Sequence, residues 1–203
     1  TPVAGSAAAR NKLIRVRTAI GLGMKVPEII VSPVRDPLHC SACRRPAVTK
    51  SIETGGIIEG DKLHSCHTRA APPEAFDGYD AAGTPTLLQQ RIMPAATWRI
   101  VTIGQNTFGF RNSGPALADD IDSRKIEDEL RGEPRPVPVH IHDQLQAFRS
   151  ALGISFASSD FLEDDAGELW FIDLNPDGQW AFLEELHGVK LSHEIVRLAW
   201  GRP

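Results

Sequence analysis

Residues 155–180 read SFASSDFLEDDAGELWFIDLNPDGQW. Two runs rich in aromatic and aliphatic residues, 155–163 and 168–175, flank the acidic turn Asp164-Asp165-Ala166-Gly167, a pattern that predicts an antiparallel hairpin. Asp160 lies on the first strand, and Asp173 and Asn175 lie on the second with Leu174 between them. Successive side chains alternate across a strand, so Asp173 and Asn175 share a face, and hairpin pairing brings Asp160 beside them. Oxygen-bearing side chains gathered among Phe161, Leu162, Trp170, Phe171 and Ile172 are costly to bury unless a cation neutralises them. Magnesium suits such a set, because it takes oxygen ligands from a few carboxylates and completes its octahedron with waters and phosphate oxygens. The competing reading has Asp160 closing a strand end and Asp173 facing solvent.

Outward from the hairpin, strand groups and helices succeed one another without regular βαβ alternation, which predicts an α+β architecture rather than a doubly wound sheet. Residues 11–21 set Leu13, Ile14, Ala19 and Ile20 among basic residues, an amphipathic helix with Asn11 as its N-cap and a stop near Gly21 or Gly23. Short strands are expected at 26–31 and 47–52. Gly55, Gly56 and Gly60 mark a turn between two short strands, and residues 70–85 read as a linker or covering loop. Longer strands at 86–92, 98–104 and 107–111 read as the start of a second lobe. A charged segment at 119–131 follows, then a helix at 141–152 closed by Gly153, and a last helix from Ser192, a good N-cap, to Trp200. His140 and His142 fall in what reads as an extended segment, and Trp170, Trp180 and Trp200 read as core or interface aromatics.

The 203 residues are 41% hydrophobic, enough for one sizeable core or two small lobes, so disorder is excluded as the main state. A formal net charge of -4 offers no basic footprint for nucleic acid. No apolar run reaches the roughly 18 residues of a membrane span, and residues 1–9 lack the order of a secretory signal, so no membrane partner and a cytoplasmic location are expected. Cys40, Cys43 and Cys66 make an odd count, which argues against a disulfide framework.

Asp160 followed by Phe171-Ile172-Asp173-Leu174-Asn175-Pro176 resembles the metal-binding signature of the ATP-grasp ligases, and the continuation Asp177-Gly178-Gln179-Trp180 resembles the ending of the graspetide maturases that cyclise microviridin-type ribosomal peptides. Ribosomal-protein glutamate ligases share the signature. The resemblance runs from about Asn11 to Ala199 and is sharp only in about the last fifty residues. It implies an ATP-grasp fold, with two α+β lobes gripping ATP between them, expected here at 1–85 and 86–203. It also implies ATP and magnesium as cofactors, and a peptide or amino-acid carboxylate as substrate. Activation as an acyl phosphate and capture by an amine or hydroxyl would follow.

Residue by residue, Asn11-Lys12 resembles the pair that opens the ATP-grasp region, with Lys12 near the phosphates, and Lys50 resembles the second phosphate-binding lysine. A lysine emerging from an apolar strand is in any case a compact charge suited to phosphate. Gln89-Gln90-Arg91-Ile92 resembles the adenine hinge, where main-chain groups read the purine edge. Arg99 and Arg124 resemble arginines that hold the transferring phosphoryl group and the acyl phosphate, and Asp160, Asp173 and Asn175 resemble the metal ligands.

Three positions depart from the pattern: Gln90 and Thr97 stand where the family has acids, and Asp173 where it generally has Glu. The domain that precedes the ATP-grasp lobes in that family has no counterpart in this sequence, so the reading expects either a fragment or a compact form that needs a partner protein. A homodimer stays open. The Gly55-Gly56 turn and residues 70–85 are candidates for a lid that excludes water. A rival reading from another class takes His39, Cys40, Cys43, His64, Cys66 and His67 as a structural zinc module, which does not exclude ligase activity, and a third takes the chain as a degenerate ATP-grasp domain that binds a peptide or nucleotide without turnover.

Overall fold

The amino-terminal residues fold as α1 (Val3–Arg10) and α2 (Lys12–Gly21). Alanine has the highest helix propensity, and the run Ala7-Ala8-Ala9 carries α1. Asn11 caps α2 as expected, its side-chain oxygen accepting from the amides of Leu13 and Ile14. The computed structural model describes residues 3–52, 56–59, 61–65, 68–78, 85–113 and 132–201.

The chain then builds β1 (Ile29–Ser32), α3 (Arg35–Arg44) and β2 (Ala47–Lys50), a separate hairpin of β3 (Gly56–Glu59) and β4 (Lys62–Ser65), β5 (Arg69–Ala70), and a 3-10 turn at Pro73–Phe76. With β6 (Thr86–Gln90), four of these strands make an antiparallel sheet in the order β1-β6-β2-β5. Leu38 and Ala42 of α3 pack on Ala47, Ala71, Phe76 and Leu88 as its core. Pro37 sits within the first turn of α3, where its missing N–H would have no helical acceptor. Buried Phe76 anchors part of the segment read as a linker or covering loop. β6, which the sequence suggested would open the second lobe, pairs with β1 and β2.

The second sheet comprises β7 (Ala96–Ile103), β8 (Asn106–Asn112), β9 (Glu133–Arg135), β10 (Phe156–Glu163) and β11 (Leu169–Asn175), in the antiparallel order β11-β10-β7-β8-β9. On one face Ile100, Phe161, Phe171 and Leu174 pack against α1, α2 and α4 (Val139–Leu152), which supplies Ile141, Leu145 and Phe148. Gly153, in the left-handed region at φ 64°, closes α4 as expected. His140 and His142 lie in the first turn of this helix rather than on extended chain, and the His142 Nδ1 is 2.9 Å from the Thr107 hydroxyl.

On the opposite face, α5 (Ala181–His187) and α6 (Leu191–Trp200) bring Leu183 and Leu191 against Val101, Ile103 and Phe110. Ser192 does not cap α6; its amide and hydroxyl donate to the Glu184 carboxylate, which ties α6 to α5. Trp200 is 71% exposed and no core residue, whereas Trp180 packs on the core of this face and Trp170 lies under the Lys25 ammonium. Helices α5 and α6 cover only part of the face, and Arg99, Asp160 and Asp173 stay half-exposed on it.

Candidate active site

The predicted hairpin forms as β10 and β11, and its register sets Asp160 directly opposite Asp173 and Ser158 opposite Asn175. A β-bulge makes this possible. The register shifts between Asp160 and Phe161, so Ile172 is the extra residue of β11. Strict alternation would put Phe171 and Asp173 on one face; the bulge resets the phase. Phe171 therefore enters the core at 1% exposure while Asp173 stands beside Asp160.

Each carboxylate has a guanidinium. Arg99, register partner of Asp160 on β7, donates from Nε to Oδ1 at 3.0 Å and from a terminal nitrogen to Oδ2 at 3.3 Å. Arg15, from α2, approaches Asp173 Oδ1 at 2.7 Å and donates to the Leu174 carbonyl. Asp160 raises the pKa of the Arg99 guanidinium. Burial lowers that of Arg15, opposed by Asp173 and then Asp160, and an arginine stays cationic under either influence. The cationic neutralisation that the hairpin requires is thus supplied by Arg15 and Arg99.

Arg15 escaped sequence reading. A signal was present: it lies four residues before Ala19, a fully buried residue, and so on the inward stripe of α2.

Asn175 is exposed, and its side-chain oxygen accepts from the Asp177 amide at 2.9 Å. Asp177 in turn pairs with Arg10 at 2.7 Å. Two half-exposed carboxylates and one amide oxygen on adjacent strands fit the demands of magnesium, which keeps several waters and takes phosphate oxygens for the rest. Asp160, Asp173 and Asn175 would hold it. The described residues contain no cluster of three or more His, Cys, Asp or Glu that could hold a metal without such help.

Lys12 also reaches the strand end that carries Lys50. Lys12, first residue of α2, donates to the Ser51 carbonyl at 2.7 Å, immediately beyond Lys50 at the end of β2. At the hinge, Gln89 is buried, the Gln90 amide donates to the Glu28 carbonyl at 2.8 Å, and the Arg91 amide donates to the Pro46 carbonyl at 2.8 Å. The Gln90 side-chain oxygen accepts from the Glu28 amide at 3.3 Å, so this glutamine works within the sheet. Among the described residues the Ile92 amide donates to no main-chain carbonyl.

Arg124, Gly55, Cys66 and His67 lie outside the described residues. Cys40 and Cys43 are exposed on α3, with the Cys43 sulfur 3.8 Å from the His39 ring nitrogens.

Among solved structures, the chain superposes over 100% of its length on 63% of a RiPP-associated ATP-grasp ligase from Chryseobacterium gregarium in complex with ADP and a leader and core peptide, with a TM-score of 0.87 and 18% identity. The fold is ATP-grasp. Macrocyclase MdnC of Microcystis aeruginosa, bound with precursor peptide MdnA, matches at a TM-score of 0.80 and 19% identity over 98% of this chain and 62% of its own. Macrocyclase MdnB of the same organism matches at 0.73 and 22% identity, over 96% and 60%. The chain thus spans about three-fifths of the length of these ATP-grasp neighbours. No family model matches it, and no curated protein matches it in sequence. Within the ATP-grasp fold, the α+β architecture of antiparallel sheets agrees with the sequence expectation. Among the described residues no helix is long and apolar enough to cross a membrane.

Proposed function

We propose that the chain is the nucleotide-binding and phosphoryl-transfer part of an ATP- and magnesium-dependent ligase that activates a peptide carboxylate as an acyl phosphate. The observation that carries this reading is the direct opposition of Asp160 and Asp173 on the exposed face of the second sheet, with Asn175 and Arg99 in the same cluster. Convergence of Lys12 on the end of β2 beside Lys50 supports it. The peptide substrate is favoured over a free amino acid by likeness to ligases solved with precursor peptides, at TM-scores of 0.87 and 0.80, against 0.62 for a D-alanyl-alanine synthetase of Vibrio cholerae.

Lys12 and Lys50 hold the triphosphate as point charges, and the main chain at Ile92 reads the purine. Magnesium, when bound, neutralises charge on the terminal phosphates and orients them for in-line transfer. The substrate carboxylate oxygen attacks the γ-phosphorus, the bond to the β-phosphate oxygen breaks, and ADP leaves. Arg99, fixed against Asp160 on a rigid strand, offsets the charge that develops on the phosphoryl oxygens. An amine or hydroxyl then attacks the acyl carbon and expels phosphate, with loss of one proton from the nucleophile. Arg124 is proposed to stabilise the acyl phosphate.

The test is ADP release by the chain with ATP, magnesium and a peptide carrying Glu or Asp beside Thr, Ser or Lys, followed by mass spectrometry. The reading predicts ADP formation that needs both metal and peptide, and loss of one water per bond formed. Metal-independent or peptide-independent turnover would contradict it.

A further inference from the structure

Arg15 is 6% exposed, and its Nε is buried with no hydrogen-bond partner. Removing a guanidinium from water is expensive, and among the described residues this one contacts the Asp173 carboxylate and the Leu174 carbonyl, with Asp160 as a second nearby negative charge. Asp173 Oδ1 is shared between Arg15 and the Leu174 amide, which donates at 3.0 Å. Both oxygens of Asp160 are engaged by Arg99. Two carboxylates thus meet two guanidiniums, and the acidic pair carries no net charge toward an incoming cation. A divalent ion that sheds its waters reluctantly gains little from a neutral set of ligands.

Arg15 is also mechanically tied to the phosphate side. It lies three residues after Lys12 on α2, so both side chains leave the same rigid helix, one toward the segment beside Lys50 and the other toward β11. The element that fixes the Asp173 counterion therefore also positions a phosphate lysine.

We propose that Arg15 is a positioning residue that makes metal binding at the hairpin conditional on nucleotide. It balances Asp173 until triphosphate oxygens bring the negative charge that the protein withholds. The inference rests on the ligase reading for the identity of the site and adds to it an order of binding, nucleotide before or together with metal.

The experiment counts protein-bound Mn²⁺ by electron paramagnetic resonance, with Mn²⁺ alone and with Mn²⁺ plus AMPPNP, after subtracting the ion held by free AMPPNP. Wild type is expected to bind Mn²⁺ weakly alone and tightly with AMPPNP. Arg15→Gln keeps amide donors for the Leu174 carbonyl but removes the charge, and its affinity for Mn²⁺ alone is expected to rise about tenfold. Arg15→Lys, which keeps the charge, is expected to stay near wild type. Unchanged affinity for Mn²⁺ alone in Arg15→Gln, with a wild-type melting curve, overturns the proposal. So does a wild type that binds Mn²⁺ as tightly without AMPPNP as with it, a comparison independent of how any variant folds. Wild type holding no Mn²⁺ even with AMPPNP sinks the site assignment itself, and is distinguishable because the other two results presuppose a working site.

Discussion

Gly178 lies so close against Ser158 that a β-carbon built on it would stand 2.3 Å from the serine Cβ. Ser158 sits opposite Asn175 in the β10–β11 ladder, so the turn carrying Asp177 and Gly178 folds back over the ladder beside a proposed metal ligand. Gly178→Ala is predicted to push this turn away, destabilising the chain by about 1–3 kcal/mol and weakening nucleotide-dependent metal binding. Ser158→Gly in the same chain should recover most of the loss, because it removes the colliding atoms. Denaturant unfolding of the single and double variants checks this, and equal stability of Gly178→Ala and wild type would contradict it.

Glu163 gives a prediction about acid. It accepts from Arg111 at 2.7 and 2.9 Å and from the Trp98 indole at 2.6 Å, joining β10, β7 and β8. The Arg111 hydrogen bonds, helped by Trp98 and opposed by burial, hold its carboxyl below the ordinary value of 4.5. A carboxyl depressed in the folded state contributes stability that is fully present above its unfolded pKa and is lost as pH falls through the folded one. Below 4.5, therefore, the melting temperature of wild type should drop more steeply with pH than that of Glu163→Gln. Parallel curves would show that the network does not couple to protonation.

The lysines divide affinity from folding. Lys50→Met and Lys12→Met remove charges proposed to hold phosphate, and each is predicted to weaken nucleotide binding on the order of tenfold. Lys12→Met also loses the bond to the Ser51 carbonyl, so its melting temperature should fall below that of wild type. Titration of AMPPNP by calorimetry beside thermal unfolding separates the effects; unaltered affinity in both variants would remove them from the site.

Much of this geometry is written locally in the sequence. The acidic turn between two apolar runs specifies the hairpin, Gly153 ends α4, and Asn11 starts α2, since each signal acts over a few residues. What escaped depends on distant partners. The bulge at Ile172 leaves no compositional mark, yet it decides that Phe171 and Asp173 part company. α3 hides behind Pro37 and weak helix formers and is stabilised by packing Leu38 and Ala42 on the first sheet. Arg15 reads as one more basic residue of an amphipathic helix until β11 is placed beside it, a contact separated by 159 residues.

Asp160 and Asp173 are proposed to seat a divalent ion together against the triphosphate. Magnesium-dependent ADP formation by Asp160→Ala and by Asp173→Ala, each checked by circular dichroism, tests it most directly. Both variants are expected to fold and to show no magnesium-dependent turnover. Turnover retained in both would contradict it.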